Sequence, residues 1–149
     1  MLYLYTNINN RETLNPGECH MKFFSIEKLS KILEQNILEI DFALIFGSAS
    51  KGEVKDLADI DIAVYLDTAI SIDIFLKIVR EVEDYTKCRC DLSVLNTASV
   101  ILCFEALQGK LLFVRKDQID NYAHFYSLTC REYEDKIYWM KKQLYYRGY

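Results

Sequence analysis

The sequence predicts a small α/β domain, a mixed sheet flanked by helices with a long helix at the C-terminal end. Three observations predict it. Residues 40–46 form a near-continuous apolar run of strand length. Two segments, starting at Ile26 and Ile72, space their apolar residues at helical period directly after a serine. Strand-like and helix-like segments then alternate along the rest of the chain.

Taken in order, Ser25 is a plausible N-cap for a helix to about residue 37, with Ile26, Leu29, Leu33 and Ile37 on one stripe. Residues 40–46 read as a strand buried on both faces. Residues 47–56 read as a polar turn region with room for a short helix, and 59–66 as a second strand. Ser71 caps a helix to about residue 84, with Ile72, Phe75, Leu76, Val79 and Val82 inward. Residues 89–95 read as a third strand, with Leu92 and Val94 on one face and Asp91, Ser93 and Leu95 on the other. A short helix over 98–107 ends at Gly109, and 110–114 adds a short strand. Residues 117–146 read as one long helix with a stripe of Tyr122, Tyr126, Tyr133, Ile137, Met140 and Leu144. His124, beside that stripe, reads as packing rather than chemistry.

The 149 residues suit one domain, which we expect to span 21–149. Residues 1–20 carry Asn7, Asn9, Asn10, Asn15, Pro16 and Gly17 without helical periodicity, and are expected to be a loose arm, an upstream start or a cloning remnant. With 18 Lys+Arg against 22 Asp+Glu, the net charge of −4 gives no expectation of direct nucleic-acid binding. No apolar run approaches the roughly 18 residues of a membrane span, and the first residues lack a signal-peptide pattern. A cytoplasmic protein without a membrane partner is therefore expected. The odd cysteine count (Cys19, Cys88, Cys90, Cys103 and Cys130) reads as buried or half-buried thiols, not a disulfide frame or a zinc site.

The chemistry concentrates in residues 44–64. A buried strand ends at Gly47-Ser48, ten residues separate Ser48 from Asp59, and Asp61 follows two positions later. At i and i+2 of an extended segment the two carboxylates point to the same side. Like charges so placed destabilise each other unless a cation sits between them, and a hard divalent cation such as Mg²⁺ takes oxygen ligands of this kind. Gly47 permits a sharp turn and close approach of a phosphate. Ser48 adds a hydroxyl and an N–H at the start of a helical turn, and Lys51 adds a positive charge near the same phosphates. Asp91, with Ser93 on its face of the next strand, supplies a third carboxylate. Three acids and a glycine-serine turn suit a nucleoside triphosphate bound through magnesium. Asp59 and Asp61 alone would read as solvated turn acids; the glycine-serine turn and the acid on the following strand reverse that reading.

The stretch matches the Gly-Ser-x10-Asp-x-Asp signature of the polymerase beta-like nucleotidyltransferase superfamily. In size, the chain resembles the minimal nucleotidyltransferases (MNT), and among them the antitoxin half of MNT–HEPN toxin–antitoxin systems, the MntA-like protein adenylyltransferases. The resemblance covers about residues 21–149, with specific residues only over 46–64 and on the Asp91 strand. It implies a fold of helices packed on a mixed sheet. It implies that Gly47 and Ser48 hold the triphosphate of ATP, that Asp59 and Asp61 bind two Mg²⁺ ions, and that Asp91 completes the metal site or acts as base. It further implies transfer of AMP to a tyrosine of a HEPN toxin, silencing its RNase activity. Two positions depart from the pattern. Lys51 stands where many members carry Arg, keeping the charge without the bidentate fork, and Ala58 stands where many carry Ser.

Residues 136–149 hold Lys136, Lys141, Lys142 and Arg147, no acid, and the interleaved Tyr138, Trp139, Tyr145, Tyr146 and Tyr149. Two readings stand: a helix packed on its own domain with its lysines outward, or a handle for a partner protein or RNA. Two rival functions also remain. One is a small-molecule nucleotidyltransferase of the aminoglycoside-modifying kind, for which the chain leaves little acceptor-binding structure. The other is an antitoxin that works by binding and occlusion.

Overall fold

A computed structural model describes residues 20–148. The elements in chain order are β1 (Met21–Phe23), α1 (Ile26–Asn36), β2 (Ile40–Phe46), a 3-10 turn (Gly47–Lys51), β3 (Glu53–Lys55), β4 (Ile60–Leu66), α2 (Ile72–Thr86), β5 (Cys90–Val94), α3 (Val100–Leu107), β6 (Lys110–Val114) and α4 (Ile119–Tyr146). Four strands make one mixed sheet in the order β5-β4-β2-β6. β2 runs antiparallel to both β4 and β6, whereas β4 and β5 are parallel and joined through α2.

Every residue of β2 is buried, as its apolar run predicts. From Phe42 onward its side chains alternate between two cores, and Ile40, before the register shift, joins the core of Ala43 and Ile45. Ala43 and Ile45 join Leu29 and Leu33 of α1 and Ile78 and Val82 of α2. Phe42, Leu44 and Phe46 join Cys103, Ala106 and Leu107 of α3, with Tyr122 and Phe125 of α4 packed against them. The sheet is thus covered by α1 and α2 on one face and by α3 and α4 on the other. The Ser25 hydroxyl accepts the Lys28 N–H, and the Ser71 hydroxyl accepts the Ile74 N–H, as expected of the two caps.

Sequence patterns missed one pairing. β1 and β3 form a separate antiparallel pair, so the region expected to be a polar turn contains a 3-10 turn and then a strand. Three residues are too few to show a strand period. Three further expectations are corrected. In α2, Ile72 and Leu76 are exposed rather than inward, and Ile78, outside the expected stripe, is fully buried: the face that meets the sheet is rotated from the one the spacing picked. His124 is exposed rather than packed. In α4, Tyr133 stacks on Phe104 and Thr129 is buried, but Met140 is 45% and Leu144 51% exposed. At 1.5 Å per residue the 28-residue helix is about 42 Å long and overshoots the body it packs on. The stripe therefore meets the body at Tyr122 and Tyr133, whereas Tyr126, also 45% exposed, Met140 and Leu144 lie open. The expected N-terminal arm and Cys19 lie outside the described residues. Of the other cysteines, Cys88 and Cys103 are buried and Cys90 and Cys130 half-buried, all as free thiols.

Arg115, which no pattern singled out, joins the two ends of the first βα layer. Its Nε donates to the Ile40 carbonyl at 2.6 Å, and an Nη donates to Ile37 at 2.8 Å and Glu34 at 3.0 Å. It thereby satisfies the Glu34 carbonyl in the last turn of α1, which the helix itself leaves unpaired, and ties that turn and its Ile37 cap to the start of β2. Arg115→Met is expected to cost about 3 kcal/mol, because part-buried carbonyls lose a charged donor. Arg115→Lys should recover only part of that, lacking the fork. Urea midpoints of the three proteins give the comparison.

Candidate active site

The site lies at one end of the central strands. β2 stops at Phe46, and Gly47 turns the chain with φ +69°. A Cβ built on Gly47 would collide with Oδ2 of Asp61. Glycine is needed there twice over, for the left-handed backbone and for the carboxylate lying against it. The turn Gly47–Lys51 follows, and Gly52, also left-handed, ends it by donating to the Ala49 carbonyl.

Register sets the rest. Phe46 is paired with Asp61 across β2 and β4, and Asp61 is paired with Asp91 across β4 and β5. One row across three strands therefore carries the two carboxylates side by side on the face that α3 covers. Next along the same face come Ala63 and Ser93, also register partners and both small. Above the row opens a cavity of about 500 Å³, lined by Phe46, Gly47, Asp61, Asp91, Ser93 and, from α3 and its C-cap, Leu102, Glu105 and Gln108. Such a volume lies within the range of small-molecule sites.

Burial, the Asp91 charge and the Asp59 charge together raise the Asp61 carboxyl above the usual aspartate range. Asp59 sits just before β4, half exposed, with Oδ1 3.8 Å from Nε of Arg89. Among the described residues no three metal-ligating side chains are close enough together to hold an ion as they stand. Of the expected residues, then, Gly47, Asp61 and Asp91 share the cavity wall. Ser48 and Lys51 are on the adjoining turn, exposed and outside the lining, and Asp59 flanks it. Ala58 is half-buried against the α1–α2 core.

Cys90, next to Asp91 in β5 and paired with Ile60 of β4, carries a thiol that burial first and then the charges of Glu83, Asp91, Asp61 and Asp59 push up to about 12. It is a protonated packing group, not a nucleophile. Glu105 and Gln108 were not anticipated. Their signal is visible in hindsight: they stand three apart on one face of an otherwise apolar helix.

Residues 27–118 match the family described as polymerase beta, nucleotidyltransferase. No curated protein sequence matches the chain. Among solved structures, the chain is similar to one in a crystal structure of a MntA–HpeT toxin–antitoxin carrying two Asp-to-Glu substitutions. Identity is 25% and the TM-score 0.63, over 75% of this chain and 89% of that one. It is similar at 25% identity and TM-score 0.62, over the same 75% and 89%, to a chain in a toxin–antitoxin structure with AMP-PNP. A chain in the complex of tri-AMPylated Shewanella oneidensis HEPN toxin with MNT antitoxin shares the fold, at 24% identity and TM-score 0.57 over 74% of this chain and 84% of that one. The family match spans more than half of the chain and includes the glycine turn and all three carboxylate positions; the chain belongs to the polymerase beta nucleotidyltransferase family.

Proposed function

We propose that this protein is the antitoxin of an MNT–HEPN pair and transfers AMP from ATP to a tyrosine of its toxin. The observation that carries this is the paired Asp61 and Asp91, held under one cavity with Gly47 against the Asp61 carboxylate. Similarity to a toxin–antitoxin chain crystallised with AMP-PNP supports a nucleotide there, and the sequence resemblance names the HEPN partner. We assign the activity to residues 21–149 and the protein to the cytoplasm. Within the described residues no helix is long and apolar enough to cross a membrane.

In this reading Gly47 and the Ser48 N–H and hydroxyl bind the triphosphate at the start of the turn, and Lys51 adds charge beside it. Asp59, Asp61 and Asp91 fit two magnesium ions by donor chemistry: all are carboxylates, and burial first, then the Asp91 and Asp59 charges, already raise Asp61. When bound, magnesium neutralises phosphate charge. The tyrosine oxygen forms a bond to the α-phosphorus, the bond from that phosphorus to the diphosphate breaks, and diphosphate leaves. Asp91 takes the phenolic proton. Positioning and charge account for most of the rate in such chemistry.

Ser48→Ala is expected to weaken Mg-ATP binding by about 1 kcal/mol, roughly fivefold in Kd, for one lost neutral hydrogen bond. Calorimetric titration reads it, and unchanged affinity would move the triphosphate off this turn. The function itself is tested with ATP labelled at the α or the γ phosphate. Label from the α position on the toxin supports the proposal. Label on an aminoglycoside instead would make the protein a small-molecule transferase, and toxin neutralisation without label would make it an occluding antitoxin.

A further inference from the structure

A second cavity, of about 140 Å³, lies where the β3–β4 loop meets the α2–β5 loop and shares no residue with the carboxylate cavity. Four of the residues lining it are cations, Lys22, Lys55, Lys87 and Arg89, against one acid, Asp56. In a chain of net charge −4 this is a local reversal of sign. Lys22 is anchored across it, its Nζ donating to the Lys87 carbonyl at 3.1 Å. Lys87 ends α2 with φ +57°, a position that glycine fills at lower conformational cost. A lysine there adds charge where the turn would be easier without a side chain.

All four are exposed at the rim of one small cavity, so an anion bound there meets several cations at once. The volume equals about four or five waters at roughly 30 Å³ each, room for a tetrahedral oxyanion but not for a nucleobase. We propose that this cavity is a phosphate site, taking free phosphate or the phosphate of a small monoester. Arg89 stands at its edge with Nε 3.8 Å from Oδ1 of Asp59, so a bound phosphate competes with Asp59 for the guanidinium. Binding does not depend on the adenylyltransferase function proposed above; only the consequence for Asp59 does.

The test is an amide NMR titration of the full chain at constant ionic strength, with inorganic phosphate in one arm and methyl phosphate in the other. Saturable shifts at Leu57, Ala58, Lys87, Cys88 and Arg89 in either arm are expected, and the arm that saturates at lower concentration assigns the source. The double variant Lys55→Gln, Lys87→Gly keeps the left-handed turn and should raise the apparent Kd at these amides by about tenfold or more, the loss of at least one charge-assisted hydrogen bond. Any shifts at Gly47 and Ser48 should survive in that variant. The proposal is overturned if neither arm saturates at the five amides, if chloride produces the same drift, or if the double variant binds as the parent does.

Discussion

Asp61→Asn is expected to abolish nucleotidyl transfer, by roughly 10²–10³-fold or more, while leaving the protein as stable as the parent or more so. The two effects have one cause. In the folded chain the Asp61 carboxyl lies half-buried beside Asp91 and Asp59, and its pKa is raised from 3.8. A carboxyl raised on folding contributes stability below its unfolded pKa and loses that contribution as pH rises through the folded value. At neutral pH the ionised group is therefore a net cost, and the asparagine removes it. The melting temperature of Asp61→Asn relative to the parent should rise between acidic and neutral pH, with transfer lost throughout. Asp59→Asn should lose transfer as well, but with a smaller gain in stability, since that side chain is half exposed and lies near Arg89. A variant of either residue with near-parent transfer would remove that residue from the active site.

The second large effect is expected in the C-terminal half of α4. Beyond Tyr133, α4 meets little of the body: Trp139 is 59% and Tyr145 78% exposed. Lys142 lies over the rings of Tyr138 and Trp139, at 5.2 and 5.3 Å from their centroids. The result is an exposed aromatic surface rimmed with cations on a body otherwise more acidic than the net charge indicates. We propose that it grips an acidic face of the toxin, with the aromatic rings as anchors. Replacing Lys141, Lys142 and Arg147 by Glu should weaken the complex by about 30-fold or more, the cost of losing a major anchor. Because Met140 and Leu144 are exposed, truncation after Lys136 should also break the complex and leave Mg-ATP binding intact. Co-purification with the toxin at undiminished yield would refute the handle and direct attention to the Asp91 edge of the cavity.

What was legible in the sequence was whatever a period or a spacing can carry. The β2 run, the α1 stripe and the Ser25 and Ser71 caps are local patterns, and the structure reproduces them; the α2 stripe holds at Phe75, Val79 and Val82 but not at Ile72 and Leu76, which are exposed. So is the interval from Gly47 to Asp61, which brings the two into contact because β2 and β4 pair in antiparallel register. What escaped depends on distance along the chain. Glu105 and Gln108 reach the cavity only because α3 folds back over the sheet. Arg115 finds its carbonyls 75 to 81 positions upstream. The second half of α4 misled for a different reason: its apolar spacing continues past the end of the domain, and periodicity does not say what covers a stripe. Lys22 and Lys87 look like solvated charges in sequence, and only the meeting of two loops puts them in one cavity.

The most direct test of the central claim is the intact mass of the HEPN toxin after incubation with this protein, ATP and magnesium. The account predicts a mass gain of one or more AMP units on toxin tyrosine, dependent on ATP and absent with Asp61→Asn. A toxin that is neutralised with its mass unchanged, or that gains AMP equally with Asp61→Asn, would contradict it.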